Sequence, residues 1–247
     1  MQTSSRILNS QGQRLDVDFH QGTHLGAMVV LGHGVTGNKD RPLLIEIAKG
    51  LAKKGWPCIR FSFSGNGDSE GKFEDSNITK EVDDLWSILK AVPQEKRIAY
   101  IGHSMGAAVG VKTASRGMAI QCLISLAGMV DTAGFVKREF GDVVPGVGFM
   151  WDDEECPLSE SYVDDLNGIG SLLPDASGVL CPWLLIHGTE DDVVPIADSR
   201  QAFEAARCEK KLIEIPGAGH SFDAESYGAI VDRIDLWLKK SFGYGMR

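Results

Sequence analysis

Short apolar runs alternate with amphipathic stretches along most of this chain. "GAMVVLG", "PCIRFSF", "RIAYIG", "QCLISLAG", "PWLLIHG" and "KLIEIPG" have the length and apolar continuity of buried strands. Helical patterns lie between them: "LLIEIAKGLAKKG", "TKEVDDLWSILKAV", "AAVGVKTASRG" and "DSRQAFEAARC", with "AIVDRIDLWLKKSF" closing the series. In the second of these Val82, Leu85, Trp86 and Leu89 share one helical face. Strands that lack polar alternation and are separated by helices predict an α/β domain with a mostly parallel sheet covered on both faces. Near the N-terminus, two strands are expected around the polar turn "NSQGQ", with alternation in "LDVDF".

One segment breaks this rhythm. Between Met129 and about Leu180 the chain is too long for a simple crossover and shows no clear strand. It holds eleven acids and two bases, a balance equal to the formal charge of −9 on the whole chain. Its apolar residues, among them Phe135, Phe140, Phe149, Met150 and Trp151, need a surface to cover. The expected organisation is therefore a core of residues 1–128 and 181–247 with an inserted acidic lid over residues 129–180.

Composition narrows the function classes. The acidic balance argues against nucleic acid, whose phosphates need a basic face. No apolar run approaches a membrane span, so no membrane partner is expected. "MQTSSRILNSQGQRL" lacks the apolar core of a signal peptide, so a cytoplasmic location is expected. The five cysteines are odd in number and show no Cys-x-x-Cys spacing, which suggests neither a disulfide framework nor a zinc knuckle. Cys58 and Cys122 fall in strand-like runs and read as small buried apolar residues. No metal-ligand spacing occurs and no cofactor is expected. Oligomeric state is not readable from the chain.

Chemistry concentrates in a few turns. Gly102-His103-Ser104-Met105-Gly106 follows the strand "RIAYIG" and opens a helix of small residues. That strand–turn–helix context places a serine on a tight elbow, where glycines avoid collision with nearby backbone. The alternative is a serine that merely starts a helix. Ser104 is the candidate nucleophile, and a serine hydroxyl needs a base with an orienting group behind it. Among six histidines, His220 in "PGAGHSF" sits on a small-residue loop after a late strand and is the candidate base. His103 is expected to point away from the hydroxyl, His187 to be a hydrogen-bonded core residue, and His33 to shape its own loop. The orienting acid belongs in "HGTEDDVVP", where Glu190, Asp191 and Asp192 compete.

Four segments in order, "LGHGVTGNK", "GHSMG", "HGTEDDVVP" and "GAGH", resemble the α/β-hydrolase-fold serine esterases along nearly the whole chain. The resemblance implies the α/β-hydrolase fold and selects Asp191 as the acid, third after the glycine of an "HG-x-x-D" turn. It also implies an oxyanion hole made by the backbone amides of Met105 and Val35. Many relatives carry an aromatic residue where this chain has Val35, so a roomier acyl side is expected. The glycine-rich "FSFSGNGDSEGKF" does not fit the dinucleotide fingerprint and better matches a loop of the same family. "HGVTGNK" and "GNGDSEGKFED" look somewhat like the cinnamoyl and feruloyl esterase branch. A serine at the elbow argues against the family's haloalkane dehalogenases.

The expected reaction is hydrolysis of a small-molecule carboxylic ester, with a short-chain or aromatic acyl group, through an acyl-enzyme on Ser104. An acidic lid facing the site would repel charged substrates and favour neutral esters. Thioesterase, monoacylglycerol lipase and peptidase activities remain open on the same fold. An acyltransferase and a non-catalytic binding protein are the alternatives from other classes.

Overall fold

The computed structural model describes residues 6–117 and 120–244. Its strands are β1 (Val17–His20), β2 (Ala27–Gly32), β3 (Cys58–Phe61), β4 (Arg97–His103), β5 (Cys122–Leu126), β6 (Trp183–Gly188) and β7 (Lys210–Ile215). They form one sheet in the order β1-β3-β2-β4-β5-β6-β7. β1 runs antiparallel to β3, and every other pairing is parallel. The α/β reading is borne out. Near the N-terminus the second expected strand is reduced to a single bridge between Leu8 and Arg14. Residues 1–5 of that region lie outside the described residues.

Burial explains the apolar continuity of the strands. In β4, Ile98 and Tyr100 face one core while Ala99 and Ile101 face the other. β2 divides the same way, with Met28 and Val30 on one side and Ala27, Val29 and Leu31 on the other. Such a strand has no solvent face and therefore no polar alternation. Helices α1 (Pro42–Lys53) and α8 (Ala224–Phe242) cover one side. Helices α2 (Ile78–Ala91), α3 (Met105–Ser115) and α7 (Ile196–Ala205) cover the other. On α2, Val82, Leu85 and Leu89 are buried and Trp86 packs half-buried beside them.

The segment after β5 folds into α4 (Thr132–Phe140), α5 (Glu160–Ile169) and α6 (Leu173–Gly178), with a 3-10 turn at Met150–Asp152. Its aromatic residues do a different job from the one expected. Phe135, Phe140 and Met150 are buried in the main core with Tyr162 and Leu166, whereas Phe149 and Trp151 remain exposed. The segment is thus anchored by packing. Asp165 on α5 also accepts the Thr79 backbone N–H at the start of α2, and Asp198 on α7 accepts those of Val130 and Asp131. α6 packs on α3 and α7.

β2 lies between β3 and β4, so the chain leaves β2 in one direction along the sheet and later returns on its other side. At such a reversal the loops leaving the two strand ends splay apart, and a cleft forms beyond the carboxyl ends. The loops that leave β2 and β4 carry "HGVTGNK" and Ser104.

Candidate active site

Ser104 occupies the turn between β4 and α3 with φ 55° and ψ −120°, a conformation costly for a residue with a Cβ. Such positions cost about 1–3 kcal/mol each and persist where surrounding structure over-determines them. Here the determinants are visible. The Ser104 N–H donates to the Leu126 carbonyl at 2.9 Å, and its carbonyl accepts from Ala107 at 3.0 Å. A Cβ on Gly102 would run into the backbone of Gly106, and one on Gly106 would run into the His33 carbonyl. Neither glycine has a left-handed φ, so the requirement is close approach of backbone. Behind the turn the buried Tyr100 hydroxyl donates to the Gly106 carbonyl at 2.9 Å.

The loop after β2 closes over the same point. An added Cβ on Gly34 would lie 2.8 Å from Ser104 Cβ, which brings the adjacent Val35 beside the serine. Among the described residues, the amides of Val35 and Met105 donate to no carbonyl or side chain. His33 holds this loop in shape. Its Nδ1 lies 2.8 Å from the Gly34 carbonyl, and its Nε2 lies 3.0 Å from the Phe63 N–H. These partners assign the proton to Nδ1, leaving Nε2 to accept from Phe63. Burial pushes the pKa of His33 down to about 4, which keeps the ring neutral.

The loops after β6 and β7 are pinned together. Gly188 admits no Cβ because the Ala218 carbonyl occupies that space, and the Glu190 N–H donates to the same carbonyl at 3.0 Å. This packing brings Asp191 to His220. His220 Nδ1 lies 2.9 Å from Asp191 Oδ2 and 3.1 Å from Oδ1. Asp191 Oδ1 also accepts the N–H groups of Val193 at 3.0 Å and Val194 at 2.8 Å. Of the three competing acids only Asp191 reaches His220; Glu190 and Asp192 are exposed. Burial acts to raise the Asp191 pKa, but hydrogen bonds from His187, His220 and the Val194 amide outweigh it. The carboxyl is held well below its usual range and stays ionised.

Two further histidines support this pair. His187 is buried as expected, with Nδ1 2.7 Å from Ser199 Oγ and Nε2 2.9 Å from the Val194 carbonyl. Its Nε2 also lies 3.1 Å from Asp191 Oδ2, a contact with no local sequence signal. His103 has a role that its place on the elbow did not announce. It lines the same cavity as Ser104, and its Nε2 lies 3.0 Å from the His220 backbone carbonyl. The two rings are 4.8 Å apart. Burial, reinforced by the nearby His220, pushes the His103 pKa down to about 3.

Ser104 and His220 face one cavity of about 550 Å³, also lined by Val35, Arg41, Trp151 and Tyr227. Serine and histidine make no direct hydrogen bond here; in unliganded sites such contacts are often long and tighten on substrate binding. Thr36, Ser104 and Trp151, three cavity residues, all carry positive φ without being glycine. Trp151 is set in place by the buried aromatic cluster, with its ring 4.9 Å from that of Phe140 and its Nε1 donating to Glu139 at 3.1 Å. Among the described residues no group of three or more potential metal ligands occurs, and no helix is long and apolar enough to cross a membrane.

A family model described as the alpha/beta hydrolase fold matches residues 27–154, which takes in β2, the elbow and the start of the inserted segment. The chain belongs to the alpha/beta hydrolase fold family. It is 28% identical over 181 residues to the alpha/beta hydrolase domain-containing protein aho-3 of Caenorhabditis elegans, covering 72% of this chain and 47% of that one. The chain thus spans about half the length of that relative. Est1E from Butyrivibrio proteoclasticus, solved with ferulic acid, superposes with a TM-score of 0.81 at 20% identity over 96% of this chain and 98% of its own. The esterase domain of a Rhodothermus marinus protein superposes with a TM-score of 0.74 at 21% identity over 95% of this chain and 96% of its own. At such identities these structures establish the fold. The family part of the resemblance read from the sequence is borne out.

Proposed function

We propose that this α/β-hydrolase cleaves carboxylic esters through an acyl-enzyme on Ser104. The observation that carries this reading is one arrangement: a strained serine and His220 line a common cavity, and the other nitrogen of His220 binds the buried Asp191. In this reading His220 Nε2 takes the Ser104 proton as Oγ attacks the ester carbonyl. Asp191 holds the proton on Nδ1 and stabilises the imidazolium that forms. The unpartnered amides of Val35 and Met105 receive the oxyanion, donors typically worth ~3–4 kcal/mol each in such sites. His220 next protonates the leaving alcohol, which departs. Water, deprotonated by His220, then attacks the acyl carbonyl and releases the acid and the free serine.

A cavity of about 550 Å³ with Trp151 in its wall has room for a short-chain or aromatic acyl group, and the esterases among the structural neighbours support ester over peptide cleavage. The reading requires no cofactor. The test is hydrolysis of p-nitrophenyl esters from acetate to laurate by wild type and Ser104→Ala. A Ser104-dependent rate supports the reading, and the chain-length optimum sizes the acyl site. Absence of any such rate from folded wild type overturns simple ester hydrolysis. Capture of the acyl group by an added alcohol in preference to water would indicate an acyltransferase.

A further inference from the structure

The sequence suggests a neutral substrate beneath an acidic lid, but the cavity is not acidic. Asp152, Asp153, Glu154 and Glu155, the tip of the inserted segment, are all exposed to solvent, and from this tip region only Trp151 lines the cavity. Apart from its two histidines, the one ionisable side chain of the lining that carries charge at neutral pH is Arg41. Its guanidinium is tethered on one side only, where Nη2 donates to the Thr36 carbonyl at 2.9 Å. No carboxylate among the described residues pairs with it. Arg41 immediately precedes α1, whose N-terminal residues Pro42 and Leu43 also line the cavity, and the first turn of that helix holds no acid. The helix therefore adds positive potential to the same wall. The Arg41 charge reaches the reaction centre: after burial and His220, it is a further influence holding His103 neutral.

A tethered guanidinium with free donors, lining the same cavity as the nucleophile and without a carboxylate partner, matches an oxyacid group, which accepts two parallel N–H bonds from the planar fork. We infer that Arg41 is a specificity-determining residue and that the preferred substrates are esters carrying a carboxylate or phosphate within reach of the scissile bond. This rests on the ester-hydrolase reading above. A second groove of about 730 Å³ between α1 and α8 shares Pro42 and Tyr227 with this cavity, but its Lys49 and Lys54 are paired with its own Glu46 and Asp232, so Arg41 is the cation that distinguishes the reaction cavity.

The test compares two pairs of esters, each an anion with its neutral counterpart. Monoethyl glutarate against ethyl 4-carbamoylbutanoate places the anion on the acyl side. Butyryl glycerol 3-phosphate against monobutyrin places it on the alcohol side. Wild type is expected to favour the anionic member of at least one pair about tenfold in kcat/KM, mainly through KM, and the favoured pair identifies the side. Arg41→Gln should reduce that ratio to about one, and Arg41→Lys should retain part of it, because charge without the fork keeps only the point attraction. A purely structural role for Arg41 would lower both members alike and leave the ratio unchanged. Calorimetry on Ser104→Ala, with and without Arg41→Gln, reads the same ratios as Kd and does not depend on turnover. A wild-type preference for the neutral members, or ratios indifferent to Arg41 in both rates and binding, overturns the inference. Ser104-dependent cleavage of neutral esters with no charge preference would leave the ester-hydrolase reading standing while removing this one.

Discussion

Replacing Asp191 by asparagine tests the site at its most heavily determined atom. The substitution is nearly isosteric, and the Asn oxygen still accepts from the Val193 and Val194 amides as Asp191 Oδ1 does now at 3.0 and 2.8 Å. The other atom becomes an NH2 group placed where Oδ2 meets His220 Nδ1 at 2.9 Å and His187 Nε2 at 3.1 Å. Two donors then face a donor, and His220 relieves the clash by carrying its proton on Nε2, the nitrogen that must accept from Ser104. Hydrogen bonds to a charged group are worth about 1.5–3 kcal/mol each, and two are lost. The expected penalty is therefore about 3–6 kcal/mol, or roughly a 10²- to 10⁴-fold fall in kcat/KM on whichever p-nitrophenyl ester wild type cleaves best. Asp192→Asn and Glu190→Gln alter exposed carboxylates that do not reach His220 and should stay within about twofold of wild type. An Asp191→Asn loss below tenfold, or an equal loss in Asp192→Asn, would refute the assignment.

Other outcomes follow from the same geometry. Gly106→Ala forces a methyl against the His33 carbonyl and should cost about 1–3 kcal/mol, lowering Tm by roughly 2–10 °C in a thermal melt. His103→Ala removes the tie to the His220 carbonyl and should lower kcat about tenfold with little change in KM, while His103→Gln, which can still donate, recovers part of the loss. Acid should destabilise the fold through His33. Burial pushes its pKa from 6.5 to about 4, so in that window the unfolded chain binds a proton that the folded chain does not. Its stability contribution is complete above pH 6.5 and declines toward pH 4 by up to about 1.4 kcal/mol per pH unit. Chemical denaturation at pH 7 and pH 5 should show a steeper fall for wild type than for His33→Gln, and parallel lines would reject this source of acid sensitivity.

The parts of the fold that were legible in the sequence are those in which local pattern and tertiary environment agree. β2, β4, β5 and β6 are buried on both faces, so their apolar runs stand out from the chain, and the elbow glycines answer to a close approach that leaves a local signature. Leu8–Arg14 failed to become a second strand pair because a single bridge at the sheet's margin has too little burial to extend it. The aromatic residues of the inserted segment carry no mark of direction in sequence; Phe135 and Phe140 turned inward because α4 packs on α5, which in turn packs on α2. The support that His187 gives Asp191, and that His103 gives His220, depends on loops from different strand ends meeting in space. Arg41 was hidden for a related reason: before Pro42 it reads as an ordinary polar residue opening a helix, and only the cavity shows what it faces.

The central claim is that Ser104 is an activated nucleophile, and the most direct measurement is covalent labelling by a fluorophosphonate, read by intact mass and located by peptide mapping. The account predicts one adduct per chain, on Ser104, lost in Ser104→Ala and slowed at least a hundredfold in His220→Ala and Asp191→Asn. Labelling at another serine, or at Ser104 with a rate indifferent to His220 and Asp191, would contradict it.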